Sequence, residues 1–183
     1  MKSLQLKVLS VVASALTVLG AVAAPQATAA ERNLVAFGDS VLADPDAGSY
    51  FAHRYDRSKG VGVDCPTSNN YAKRAGAKLR LPVRDFSCSG AVSMSPGPQI
   101  FQQVDAALRT GALTPATNRV VITTGFNDTY NHRDLNLPQI RKQFVDHTAP
   151  QIERIKRAAP NARIQIVGYP TIGSGPYYCL FHF

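Results

Sequence analysis

Beyond its first thirty residues the 183-residue chain has no long apolar run, so nothing after that point is read as a membrane span. It also lacks a Gly-x-Ser-x-Gly elbow, a zinc-ligand motif, a phosphate-binding P-loop and a dinucleotide fingerprint. No repeat, linker or low-complexity tract divides it, and its length suits one domain with a single core. Charge is not concentrated. The 20 Lys and Arg outnumber the 12 Asp and Glu to give +8, but residues such as Arg54, Lys73, Arg80, Arg141 and Arg157 are scattered over the polar faces of expected helices. That pattern is a solvated surface and not a nucleic-acid site; attraction to an anionic envelope or lipid surface stays open.

What is present begins with an export signal over residues 1–30. Lys2 and Lys7 precede an apolar stretch over 8–24 that is broken by Ser10, Ser14 and Thr17, and small residues then crowd toward Ala27-Thr28-Ala29 or Thr28-Ala29-Ala30. An uncleaved anchor is the competing reading, against which the core is short and interrupted. Cleavage leaves a domain over 31–183 with a net charge of +6, Lys2 and Lys7 being lost. Export permits disulfides. There are three cysteines. Cys65 and Cys88 are read as a pair closing a short loop, worth about 3–4 kcal/mol in the chain-entropy account. Cys179 is then a free thiol, an intermolecular link or a residue whose partner is lost.

The apolar pattern alternates between two periods. Short apolar runs at 33–37, 82–87, 119–124 and 163–167 read as strands, each followed closely by glycine. Helical spacing appears over 70–81 (Ala72, Ala75, Gly76, Leu79) and over 98–108 (Ile100, Val104, Ala107, Leu108). A long helix opens at Pro138 with the stripe Ile140, Phe144, Ile152 and Ile155, and Pro150 is expected to kink it. Residues 43–68, rich in Gly, Pro and Asp, read as mostly loop. Strands alternating with helices imply a parallel sheet, with the working crevice at the carboxyl ends of its strands.

Three of those ends carry chemistry. The first runs into Gly38-Asp39-Ser40, the second into Ser87-Cys88-Ser89-Gly90 and the third into Gly125-Phe126-Asn127-Asp128. A hydroxyl, pliable backbone N–H groups and a side-chain amide are the parts of an acyl-transfer site. Each turn taken alone is more simply a turn; their joint placement carries the argument. His132-Arg133-Asp134 lacks the asparagine a kinase loop requires, Gln139 standing there, and Asn127-Asp128-Thr129 is a poor glycosylation acceptor at a strand end.

Phe37-Gly38-Asp39-Ser40, the glycine at 90 and Gly125-Phe126-Asn127-Asp128 together resemble, in order and spacing, the first three blocks of the SGNH/GDSL hydrolases, nearest to the secreted bacterial esterases and lipases. The resemblance implies a flavodoxin-like three-layer α/β/α fold around a parallel sheet, Ser40 as nucleophile, and an oxyanion hole built from the N–H groups of Ser40 and Gly90 and the amide of Asn127. It implies an ester or lipid substrate and no cofactor; oligomeric state is left open.

The family's fourth block, Asp-x-x-His near the C-terminus, supplies the general base. No such block follows the fourth strand here, and the chain reads as truncated, without its last strand and helix, a loss that leaves a sheet edge unpaired. Of the histidines, His53 lies in the expected loop, His132 follows the Asn-Asp block and His147 falls on the long helix. His182 is the one C-terminal candidate for the base, with Cys179 where an aspartate belongs. A catalytically inactive remnant or a non-catalytic binding protein is therefore the alternative to an esterase.

Overall fold

The computed structural model describes residues 31–56, 64–94, 97, 99–169, 173–174 and 177–178. The export signal at 1–30, Cys179 and His182 lie outside these residues.

Four parallel strands form the sheet: β1 (Leu34–Gly38), β2 (Val83–Asp85), β3 (Arg119–Thr123) and β4 (Arg163–Ile166), in the order β2-β1-β3-β4. Between them run α1 (Ser40–Ala43), α2 (Ala47–Tyr55), α3 (Tyr71–Leu79), α4 (Ile100–Arg109), α5 (Phe126–Asn131) and α6 (Leu137–Ala158). A short antiparallel pair, β5 (Gly173–Ser174) and β6 (Tyr177–Tyr178), follows.

The two faces of β1 show why the layers stack as they do. Its side chains alternate, and every residue is buried, as a strand covered on both faces requires. Val35 and Phe37 join Val104 and Ala107 of α4 and Ile155 of α6 in one core cluster. Leu34 and Ala36 face the other way, onto Leu42 and onto Ala72 of α3. Helices thus cover both faces, giving three layers, and the strand order matches the flavodoxin-like pattern. In that pattern the chain leaves β1 toward one side and β3 toward the other, which opens a crevice between their carboxyl ends.

Several boundaries differ from the sequence expectation, each for a local reason. The 43–68 stretch, expected as loop, contains α2. Asp46 caps it by accepting the Ser49 N–H at 2.9 Å, but α2 buries no residue and so leaves no apolar stripe to read. β2 stops at Asp85 because that carboxylate accepts both the N–H and the hydroxyl of Ser87, at 3.0 and 2.6 Å, and turns the chain. α4 begins at Ile100, where Gln102 Oε1 accepts the Gln99 N–H at 2.8 Å. A reciprocal pair between Asn136 and Gln139 opens α6 one residue before Pro138. The helix continues through Pro150 to Ala158.

Cys65 and Cys88 form a disulfide, as expected, with Cα atoms 5.2 Å apart. Cys88 is fully buried in the cluster under α4, so the bridge anchors the 65–70 segment to the sheet. Replacing both cysteines by alanine is expected to lower the free energy of unfolding by about 3 kcal/mol, the entropy of a loop of this span. Urea denaturation of the double variant measures it, and an unchanged midpoint would show that the bridge constrains nothing.

Candidate active site

The first candidate turn is held in place before it begins. Gly38, the last residue of β1, has its N–H bound to Gln103 Oε1 at 2.9 Å and its carbonyl bound by Gln103 Nε2 at 2.9 Å. Its carbonyl also accepts the Cys88 N–H at 2.9 Å. Gln103 is fully buried on α4 and acts as a surrogate strand neighbour where the sheet ends. The next N–H, of Asp39, donates to the Thr123 carbonyl at 3.1 Å and joins β1 to β3 at their final residues. Asp39 then caps α1, its Oδ1 accepting the Val41 N–H at 3.0 Å, and Ser40 stands half-buried as the first residue of that helix.

The second turn, 87–90, leaves Gly90 exposed with φ +84°. A side chain there would meet nothing within 4 Å. Backbone conformation alone, and not space, asks for glycine. The third turn has Gly125 at φ +118°, where a Cβ would also come within 3.0 Å of the Phe144 ring on α6. Beyond it, Asn127 is buried and its Nδ2 donates to the Ala91 carbonyl at 2.7 Å, next to Gly90. Asp128, also buried, accepts the N–H groups of Ser93 and Met94, the latter at 2.7 Å.

The three turns are therefore bonded to one another: first to second through Cys88 and Gly38, second to third through Asn127 and Asp128, first to third through Asp39 and Thr123. Ser40, Gly90 and Asn127 sit on these three turns at one edge of the sheet. His182 lies outside the described residues. His53 and His132 each bury Nε2 with no hydrogen-bond partner, and His147 is exposed with Nδ1 2.7 Å from the Gln143 carbonyl of its own helix. Among the described residues no group of three or more His, Cys, Asp or Glu is placed to hold a metal ion. A cavity of about 250 Å³ lies between α4 and α6, lined by Ser93, Phe101, His147 and Thr148 among others, and none of the three candidate residues lines it.

Tyr169, three residues past β4, completes the arrangement. Its hydroxyl donates to Asp39 Oδ2 at 2.5 Å and accepts the Phe126 N–H at 3.1 Å, while its ring tilts against that of Phe126 with centroids 5.7 Å apart. On α3, the Tyr71 hydroxyl is hydrogen-bonded to Thr123 Oγ1. Burial pushes the Asp39 carboxyl from the ordinary 3.8 up to about 6; the bonds from Tyr169 and Val41 oppose the rise, and the charge of Asp128 adds to it. Burial first, then the Asp39 charge, pushes the Tyr169 phenol far up, so it stays a neutral donor.

Gln103 and Tyr169 stand outside the three motif blocks of the sequence, and Asp39 and Asp128, which lie within them, carried no separate role there. Gln103 had left one sign: a polar residue inside the apolar helical stripe of Ile100, Val104 and Ala107. Tyr169 was marked only by standing between Gly168 and Pro170 at a strand end.

Comparisons with known proteins were consistent with this architecture. A model described as the GDSL-like lipase/acylhydrolase family matches residues 36–180. Among solved structures, a phospholipase A1 from Streptomyces albidoflavus is 22% identical with a TM-score of 0.52, and an extracellular lipase from Streptomyces rimosus is 20% identical with a TM-score of 0.52. Each comparison covers 82% of this chain and 65% of the other, so this chain spans less than two thirds of either protein. An acetyl xylan esterase from Butyrivibrio proteoclasticus is 16% identical with a TM-score of 0.51, over 77% of this chain and 48% of that one. No curated protein matches.

The buried carboxyl makes stability depend on pH in a definite direction. Between pH 3.8 and 6 the folded protein keeps a proton that the unfolded chain releases. The contribution is fully present below pH 3.8 and lost as pH rises through 6, an effect on the order of 3 kcal/mol. Asp39→Asn is expected to flatten that part of the pH dependence. Urea unfolding at pH 4 and pH 8 checks it, and an unaltered difference between the two pH values would overturn the account.

Proposed function

The chain belongs to the GDSL-like lipase/acylhydrolase family, and on that premise we propose that it is an exported serine ester hydrolase with Ser40 as nucleophile. The observation that carries this reading is the hydrogen-bonded convergence of the three turns at the crevice between β1 and β3. Ser40 Oγ attacks the carbonyl carbon of a carboxylic ester. The carbonyl oxygen takes up negative charge, which the N–H groups of Ser40 and Gly90 and the Asn127 amide stabilise. The ester C–O bond breaks, the alcohol leaves with a proton, and an acyl group remains on Ser40. Water then attacks that acyl-enzyme, releases the acid and restores the hydroxyl.

A histidine serves as general base in this scheme, with His182 as its candidate. Without a base the serine hydroxyl is a weak nucleophile; loss of the histidine in a serine hydrolase costs about a millionfold in turnover. Export rests on the 1–30 segment, and the Cys65–Cys88 bridge suits an oxidising compartment. Among the described residues no helix is long and apolar enough to cross a membrane.

Hydrolysis of short-chain p-nitrophenyl esters by the secreted protein tests the reading. Ser40→Ala is expected to abolish turnover and labelling by a fluorophosphonate probe. Asn127→Ala is expected to lower kcat by about 10²- to 10³-fold, and His182→Ala to lower it to the Ser40→Ala level. Equal rates for wild type and Ser40→Ala would reject the enzyme in favour of a non-catalytic binding protein that retains the pocket.

A further inference from the structure

We propose that Tyr169 is a positioning residue for the reaction: its hydroxyl bridges the Ser40 turn to the Asn127 turn and so sets the distance between nucleophile and oxyanion donor. The inference rests on the functional reading above and adds a residue outside the three motif blocks.

The geometry is that of a double-ended clamp. Tyr169 Oη donates 2.5 Å to Asp39 Oδ2 and accepts at 3.1 Å from the Phe126 N–H. Asp39 precedes Ser40 directly and holds it through the cap on Val41, and Phe126 precedes Asn127 directly. One oxygen thus touches the residue before the nucleophile and the residue before the amide. Asp39 is fully buried, so its second oxygen has no water to fall back on if the phenol is removed. The ring is fixed independently, against Phe126. A phenylalanine at 169 keeps that contact and removes only the bridge.

The direction of the electrostatic effect follows. The bond from Tyr169 holds the Asp39 carboxyl down against burial. Among the other titratable groups, Asp128 of α5 also raises it, while Tyr71 of α3 is itself pushed up by burial and by the Asp39 charge. None of these is a cation, so loss of the phenol leaves no ion pair to compensate, and Asp39 gains its proton at higher pH.

Wild type, Tyr169→Phe, Asn127→Ala and the double variant are compared on p-nitrophenyl acetate, with carboxyl carbons of Asp and phenol carbons of Tyr followed by 13C NMR against pH. Tyr169→Phe is expected to lower kcat about 10- to 100-fold at unchanged KM, because misplacement and not binding is at fault. The double variant is expected to be hardly worse than Asn127→Ala, since both changes spoil the same donor. The Asp39 midpoint is expected to move upward from about 6. In wild type alone, the Tyr169 phenol carbon is expected to titrate with the Asp39 midpoint, a readout that needs no folded variant. Wild-type kcat in Tyr169→Phe, strictly multiplicative losses in the double variant, or a phenol carbon indifferent to Asp39 would each overturn the inference. Equal hydrolysis by wild type and Ser40→Ala would instead remove the functional reading, and the positioning role with it, while the coupled titration would still establish whether the bridge exists.

Discussion

Past Gly38 and Thr123 the two central strands run out of sheet while still buried, and every backbone polar group at that edge must find a partner from elsewhere. This constraint organises the rest of the molecule. An unpartnered N–H or carbonyl there costs about 1–3 kcal/mol, and the edge holds several. Gln103 reaches from α4 to satisfy both polar groups of Gly38. Cys88 supplies a second donor to the same carbonyl, and Thr123 takes the N–H of Asp39. Gln103 and Cys88 belong to the connection between β2 and β3, and Thr123 to the end of β3, so satisfying the edge also pins that connection and β3 to the end of β1. The candidate site is thus a consequence of how the sheet is terminated.

The same logic accounts for the buried acids. Asp39 and Asp128 are both buried, and each lies where a turn would otherwise orphan backbone donors. Asp128 gathers the N–H groups of Ser93 and Met94, and Asp39 takes that of Val41 along with the Tyr169 hydroxyl. The arrangement stabilises the loops and, at Asp39, opposes the charge. At neutral pH the Asp39 carboxylate sits where burial opposes ionisation and where Asp128 repels it, with hydrogen bonds as its relief. A carboxyl that served only as a helix cap would be cheaper at the surface, as Asp46 is at the start of α2. Asp39 is instead buried at the end of β1, directly before Ser40.

The legible and illegible parts of the sequence divide along the same line. The strands at 33–37 and 119–124 were readable because both faces of each are covered, nearly every residue is buried, and a short apolar run sits at the centre of each. The turns were readable because they punctuate those strands with glycine and carry the block residues. The Cys65–Cys88 pair was legible from export and loop length. Partnerships across the fold were not legible. Gln103 and Gly38 are 65 residues apart and Tyr169 and Asp39 are 130 apart, and no local periodicity encodes which buried donor meets which acceptor. α2 escaped notice for the opposite reason: with no buried residue it has no apolar period, and its one strong signal is the Asp46 cap. β2 was drawn too long because Asp85 ends it by a side-chain bond that composition does not reveal.

Register is what converts these long separations into contacts. Ile166 of β4 lies beside Ile122 of β3, so Tyr169 leaves its strand level with the chain that leaves β3 toward Phe126. Gly38 lies beside Thr123, which brings Asp39 to the same level. The three residues of the bridge therefore arrive together because the strands end together. A slip of β4 by one residue would exchange its two faces and carry Tyr169 about 3.3 Å along the edge, farther than the length of either of its hydrogen bonds can absorb. The electrostatics of Asp39 and the pairing of β4 with β3 are in this sense one property: the carboxyl beside the candidate nucleophile is held by a residue that only the fourth strand, in this register, can deliver.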